Sequence, residues 1–113
     1  VIDVTVLTSG GSPIGVEIRG HAGYAPKGGD IVCAAVSALG YTLVNALIRI
    51  VGSADYEEGR GGALTCRMPG GLDEAMEGKA RTVVETVVAG LESVRDNGEY
   101  SRYVAIRHEE RRR

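Results

Sequence analysis

From Asp30 the chain reads Asp30-Ile31-Val32-Cys33-Ala34-Ala35-Val36-Ser37-Ala38-Leu39-Gly40-Tyr41-Thr42-Leu43-Val44-Asn45-Ala46-Leu47-Ile48-Arg49-Ile50. Its apolar residues recur at helical spacing. Asp30 is a good N-cap, because its carboxylate accepts the free N–H groups of a first turn. The helix expected from Asp30 to about Ile50 is apolar nearly all round, so both of its faces need cover. One row differs. Cys33, Ser37, Tyr41 and Asn45 follow at i, i+4 and carry most of the polar groups. Gly40, beside that row, admits the close approach of another backbone.

On the N-terminal side of this helix the pattern is alternation. Ile2, Val4 and Val6 alternate with Asp3 and Thr5, and Ile14, Val16 and Ile18 alternate with Gly15, Glu17 and Arg19. With the turn Ser9-Gly10-Gly11-Ser12-Pro13 between them, these predict a hairpin. Gly20 ends the second strand, His21 and Ala22 follow, and Gly23 to Gly29 forms a loop containing Pro26. On the C-terminal side, Ala54–Glu57 and Ala63–Met68 read as short strands around a Gly59-Arg60-Gly61-Gly62 turn. Pro69-Gly70-Gly71 breaks the chain. Leu72 to about Arg95 has the spacing of a long amphipathic helix, closed by Asn97-Gly98, and Tyr100 to Arg107 reads as a last strand. The order ββαββαβ predicts a two-layer α+β domain spanning residues 1–113: a partly antiparallel, mixed sheet with two main helices.

The chain has 113 residues and a net charge of −2. That size supports one core, and that charge gives no footprint for direct nucleic-acid binding. The tail Arg107-His108-Glu109-Glu110-Arg111-Arg112-Arg113 is expected to be a solvated, frayed end. No membrane span is expected: the nearest apolar run, Ile31 to Val51, is interrupted by Ser37, Thr42, Asn45 and Arg49. No secretory signal pattern opens the chain. Two cysteines without export signals point to free thiols in a reducing cytoplasm. The first residue, Val1, fits either an alternative start codon translated literally or a trimmed fragment.

Two residues stand out for chemistry. Cys33 falls in the first turn of the predicted helix, where N–H groups stabilise an anion, although an ionised Asp30 opposes this by like-charge repulsion. His21 sits just past a strand end, before a flexible loop. Together they have the parts of a cysteine nucleophile and its base. The plainer alternatives are a small core-filling thiol and a loop histidine bonded to backbone or water. Asp30 is either a cap or an orienting partner of His21. Ser37 bonds either substrate or imidazole, or back to a helix carbonyl. Cys66 shares one strand face with Leu64 and Met68 and reads as core. The cysteines and histidines lack the close spacing of structural zinc sites, so no metal is expected. Gly28-Gly29 lacks the full phosphate-loop pattern.

Gly20-His21-Ala22 followed by Gly28-Gly29-Asp30-Ile31-Val32-Cys33-Ala34-Ala35-Val36-Ser37-Ala38-Leu39 resembles the bacterial ribosomal-processing cysteine proteases. The resemblance implies an α/β homodimer with a Cys nucleophile at Cys33 and a His base at His21. It implies supporting roles for Asp30 and Ser37, and a mobile substrate loop to which Gly20, Ala22, Gly28 and Gly29 belong. It further implies removal of an N-terminal extension from large-subunit ribosomal protein number twenty-seven, with apolar and aromatic residues before the scissile bond. No cofactor is called for. The competing expectation is a non-catalytic, ribosome-associated module that holds a peptide in the same cleft.

Overall fold

A computed structural model describes residues 1–26 and 29–112. The elements in chain order are β1 (Ile2–Ser9), β2 (Ser12–Arg19), α1 (Ile31–Val51), β3 (Asp55–Glu58), β4 (Leu64–Arg67), α2 (Glu74–Asp96) and β5 (Val104–Glu110). The strands form one sheet in the order β3-β4-β2-β1-β5. β1 and β2 form the expected antiparallel hairpin, with Val4 opposite Ile18 and Val6 opposite Val16. β2 pairs antiparallel with β4, and β4 with β3. β5 lies parallel to β1, which makes the sheet mixed. The α+β reading with order ββαββαβ is therefore correct.

The two helices pack against each other, α2 against β2 and β5 and α1 against β4. Val4, Val6 and Val16 from the sheet, Leu43 and Leu47 from α1, and Val84 and Leu91 from α2 are all almost fully buried. Each such side chain contributes about 1.5–3 kcal/mol through burial. Gly40 is a close-approach position as expected, but its neighbours are side chains. A Cβ there would lie 2.9 Å from both Ile18 Cδ1 and Leu64 Cδ2.

Three boundaries differ from the sequence reading. α2 begins at Glu74, capped by Asp73, whose Oδ1 accepts the Met76 N–H at 2.8 Å. The Gly59–Gly62 turn contains a short 3₁₀ turn, Arg60–Gly62, with Gly61 and Gly62 at positive φ. The last strand starts at Val104, after a second 3₁₀ turn at Ser101–Tyr103, and runs on to Glu110.

Residues 107–110 are therefore not a frayed end. His108 faces Val6 and Glu110 faces Thr8 in the parallel ladder. Glu110 accepts from the Thr8 hydroxyl at 2.9 Å and the Gly10 N–H at 2.7 Å, and the Arg111 N–H donates to Thr8 O at 2.7 Å. Those donors, the Gly10 N–H first, hold the Glu110 carboxyl below its ordinary range.

α1 is long and apolar enough to cross a membrane by length and composition alone; Ser37, Thr42, Asn45 and Arg49 do not lower its hydropathy below that level. In this fold one row of it, from Val32 through Val36, Gly40 and Leu43 to Leu47, is buried in the domain core. Ile31 and Ile48 on its other side remain 52 and 43% exposed, and Ile50, which follows Leu47 on the buried row, is 46% exposed at the helix end.

Candidate active site

Gly20 turns the chain out of β2 at φ 85, and a Cβ there would come within 2.7 Å of Val1 O. The turn delivers His21 and Ala22 to the start of α1. Asp30 caps that helix, its Oδ1 accepting the Cys33 N–H at 2.9 Å. Its Oδ2 accepts the N–H groups of Tyr24 at 3.1 Å and Ala25 at 3.5 Å. One carboxylate thus fixes both the helix start and the loop that precedes it. These donors, led by the Cys33 N–H, hold the Asp30 carboxyl below the usual carboxylate range. Both Asp30 oxygens are engaged by backbone, and among the described residues no hydrogen bond joins Asp30 to His21. The cap alternative fits the geometry.

Cys33 is half-buried, and its Sγ accepts the Ala22 N–H at 3.3 Å. An N–H aimed at sulfur stabilises a thiolate more than a thiol, because a charged acceptor strengthens the bond. His21, Asp30, Cys33 and Ser37 all line one cavity of about 490 Å³. Its apolar lining includes Ile2, Ile18 and Val36, and backbone at Gly20, Gly23, Gly61 and Gly62 forms other parts of its wall. Ser37 is exposed one helical turn beyond Cys33. No hydrogen bond joins Cys33 and His21 among the described residues. Gly29 is described and its N–H donates to Pro26 O at 2.9 Å, whereas Gly28 lies outside the described residues.

The sequence reading missed the β3–β4 turn as part of this site. A Cβ on Gly61 would lie 3.8 Å from His21 Nε2. The Gly61-Gly62 pair was visible as a turn, but its partner comes from a distant part of the chain. Tyr24 was missed as well. Cys66 is placed as expected, 0% exposed in β4, and burial pushes its thiol up to about 12. No group of three or more His, Cys, Asp or Glu is placed to hold a metal among the described residues.

A family model described as cysteine protease Prp matches residues 1–105. The chain belongs to this family. It is 36% identical over 81 residues to the ribosomal processing cysteine protease Prp of Bacillus subtilis (strain 168), covering 69% of this chain and 71% of that one. Its fold is similar to that of an essential ribosomal processing protease Prp from S. aureus, crystallised with a covalently linked product peptide. The TM-score is 0.82 and the identity 25%, over 96% of this chain and 100% of that one. It is also similar to SMU.848 from Streptococcus mutans, with TM-score 0.75 and 29% identity over 97% and 95% of the two chains. As a Prp-family member the chain is a cysteine protease of the ribosomal-processing class, and the non-catalytic module gives way to an enzyme.

Proposed function

We propose that this Prp-family protease removes the N-terminal extension of its host's large-subunit ribosomal protein number twenty-seven, with Cys33 as nucleophile and His21 as base. The observation that carries the residue assignment is the Ala22 N–H held on Cys33 Sγ at 3.3 Å, in a cavity that His21 also lines. The other thiol, Cys66, is sealed in the core. The substrate is supported by the ribosomal-processing role of the B. subtilis relative and the product peptide covalently linked to the S. aureus protease.

In the reaction, Cys33 Sγ attacks the scissile carbonyl as His21 takes the thiol proton. His21 then gives that proton to the leaving amine, and water, deprotonated by His21, releases the extension from the acyl-enzyme. The N–H groups of Cys33 and Ala34 are already bonded to Asp30. The Ala22 N–H, which faces Sγ, is therefore the donor we assign to the oxyanion. Ser37 supports substrate on the same wall.

The enzyme acts as a cytoplasmic homodimer in this proposal. Tyr41 and Ile48, exposed on one face of α1, with Tyr56 exposed on β3, supply an apolar surface for a second copy. The test is incubation with the host ribosomal protein followed by intact mass. Loss of the extension with wild type and none with Cys33→Ala is expected. Cleavage by Cys33→Ala rejects the nucleophile, and an intact substrate with wild type rejects the substrate.

A further inference from the structure

We propose that Tyr24 is a positioning residue that holds the loop so that the Ala22 N–H stays on Cys33 Sγ; its relevance to catalysis rests on the reading of Cys33 as nucleophile. Just after His21, the N–H groups of Ala22, Tyr24 and Ala25 tie the chain to Cys33 and Asp30. Gly23 sits at φ 72 with open space around it. Tyr24 anchors this segment in two directions.

Its backbone N–H donates to Asp30 Oδ2, on the same carboxylate that caps Cys33. Its side chain reaches the opposite way, to the corner between α2 and β5. There the Tyr24 ring stands edge-on to Tyr100, centroids 5.6 Å apart at 74°, and to Tyr103, 5.2 Å apart at 82°. Its hydroxyl donates to Glu99 Oε1 at 2.9 Å. Tyr100 and Tyr103 are partly buried against the core, and the Arg102 guanidinium lies 5.1 Å over the Tyr103 ring. The Tyr24 ring is thus tied to side chains packed on the core.

Tyr24 does not line the cavity, although its neighbours Gly23 and Ala25 do. It acts through them and through Asp30. The ring contacts are the main hold, because a hydroxyl–carboxylate bond at the surface competes with water. Removing the ring frees Ala22 and costs a thiolate its nearest donor.

The experiment compares wild type, Tyr24→Phe and Tyr24→Ala in the full chain. It measures amide hydrogen exchange at Ala22 and Tyr24 by NMR, and iodoacetamide labelling of Cys33 with Cys66 as a reporter of core opening. In Tyr24→Ala both amides should exchange about tenfold faster. Cys33 labelling should slow about threefold, because the N–H that supports charge on the attacking sulfur is no longer held there. Tyr24→Phe should stay within about twofold of wild type, since the ring contacts persist. Cys66 should label equally slowly in all three. Wild-type exchange and labelling in Tyr24→Ala overturns the proposal, as does faster Cys33 labelling. So does a Tyr24→Phe variant that behaves like Tyr24→Ala, or Cys66 labelling that rises with the amide exchange. No readout involves cleavage, so failure of the nucleophile assignment appears separately, as activity in Cys33→Ala.

Discussion

Iodoacetamide at neutral pH should modify Cys33 at least about a hundred times faster than Cys66. Burial raises the Cys66 thiol from an ordinary 9.0 to about 12, with the Asp55 charge adding to the effect. Three units reduce the thiolate population about a thousandfold, and the higher nucleophilicity of a more basic thiolate returns about thirtyfold, leaving a deficit of about thirtyfold. That deficit applies before access is counted, and Cys66 is 0% exposed between β2 and β3. The alternative route is opening of the sheet, which restores an ordinary thiol but is populated at about one part in a hundred or less for a central strand. Both routes converge on a ratio of about a hundred or more. Cys33 needs no opening, because it lies half-buried on the cavity wall. Timed labelling of native protein, with peptide mapping of each thiol, measures the ratio directly. Rates within about tenfold of each other, or Cys66 first, would refute the reasoning, because they require a core that opens far more often than its packing permits.

His21→Ala should lower cleavage by about 10²–10⁴-fold, the usual worth of general acid–base assistance, as measured by kcat/KM. His108→Ala should change it little, because His108 is exposed on β5 and absent from the cavity lining; a larger effect at His108 than at His21 would refute the base assignment. Glu110, whose carboxyl is held below its ordinary range, contributes stability that is complete above the ordinary carboxylate range and lost as pH falls through the lowered value. Glu110→Gln should therefore flatten the fall in Tm between about pH 5 and pH 3 seen for wild type, and an unchanged pH dependence would count against the tether. Light scattering after size exclusion at micromolar concentration should give a dimer mass, and a monomer mass held across concentrations would reject the second copy on α1.

The elements that were legible in the sequence are those written in local periodicity. The alternation of Ile2, Val4 and Val6 gave β1, and Asp30 followed by apolar helical spacing gave the start of α1 and placed Cys33 in its first turn. Long-range partners were not legible. Arg107 to Glu110 looked like a charged tail because nothing local reveals a parallel ladder with β1, a strand about a hundred residues earlier. Tyr100 to Tyr103 looked like strand because aromatic residues suit strands, yet they form the corner against which Tyr24 packs. The site divides in the same way. His21, Asp30, Cys33 and Ser37 form one short motif and were found together. Gly61 and Tyr24 join it through the approach of the β3–β4 turn and the α2–β5 corner, which only the fold brings near.

The central claim is that Cys33 carries the substrate acyl group, and acid quench during turnover of the host ribosomal protein precursor tests it most directly. Intact mass should show enzyme heavier by the N-terminal extension less one water, and peptide mapping should place that adduct on Cys33. Cleavage that proceeds with the adduct on another residue, or at full rate in Cys33→Ala, would contradict the account.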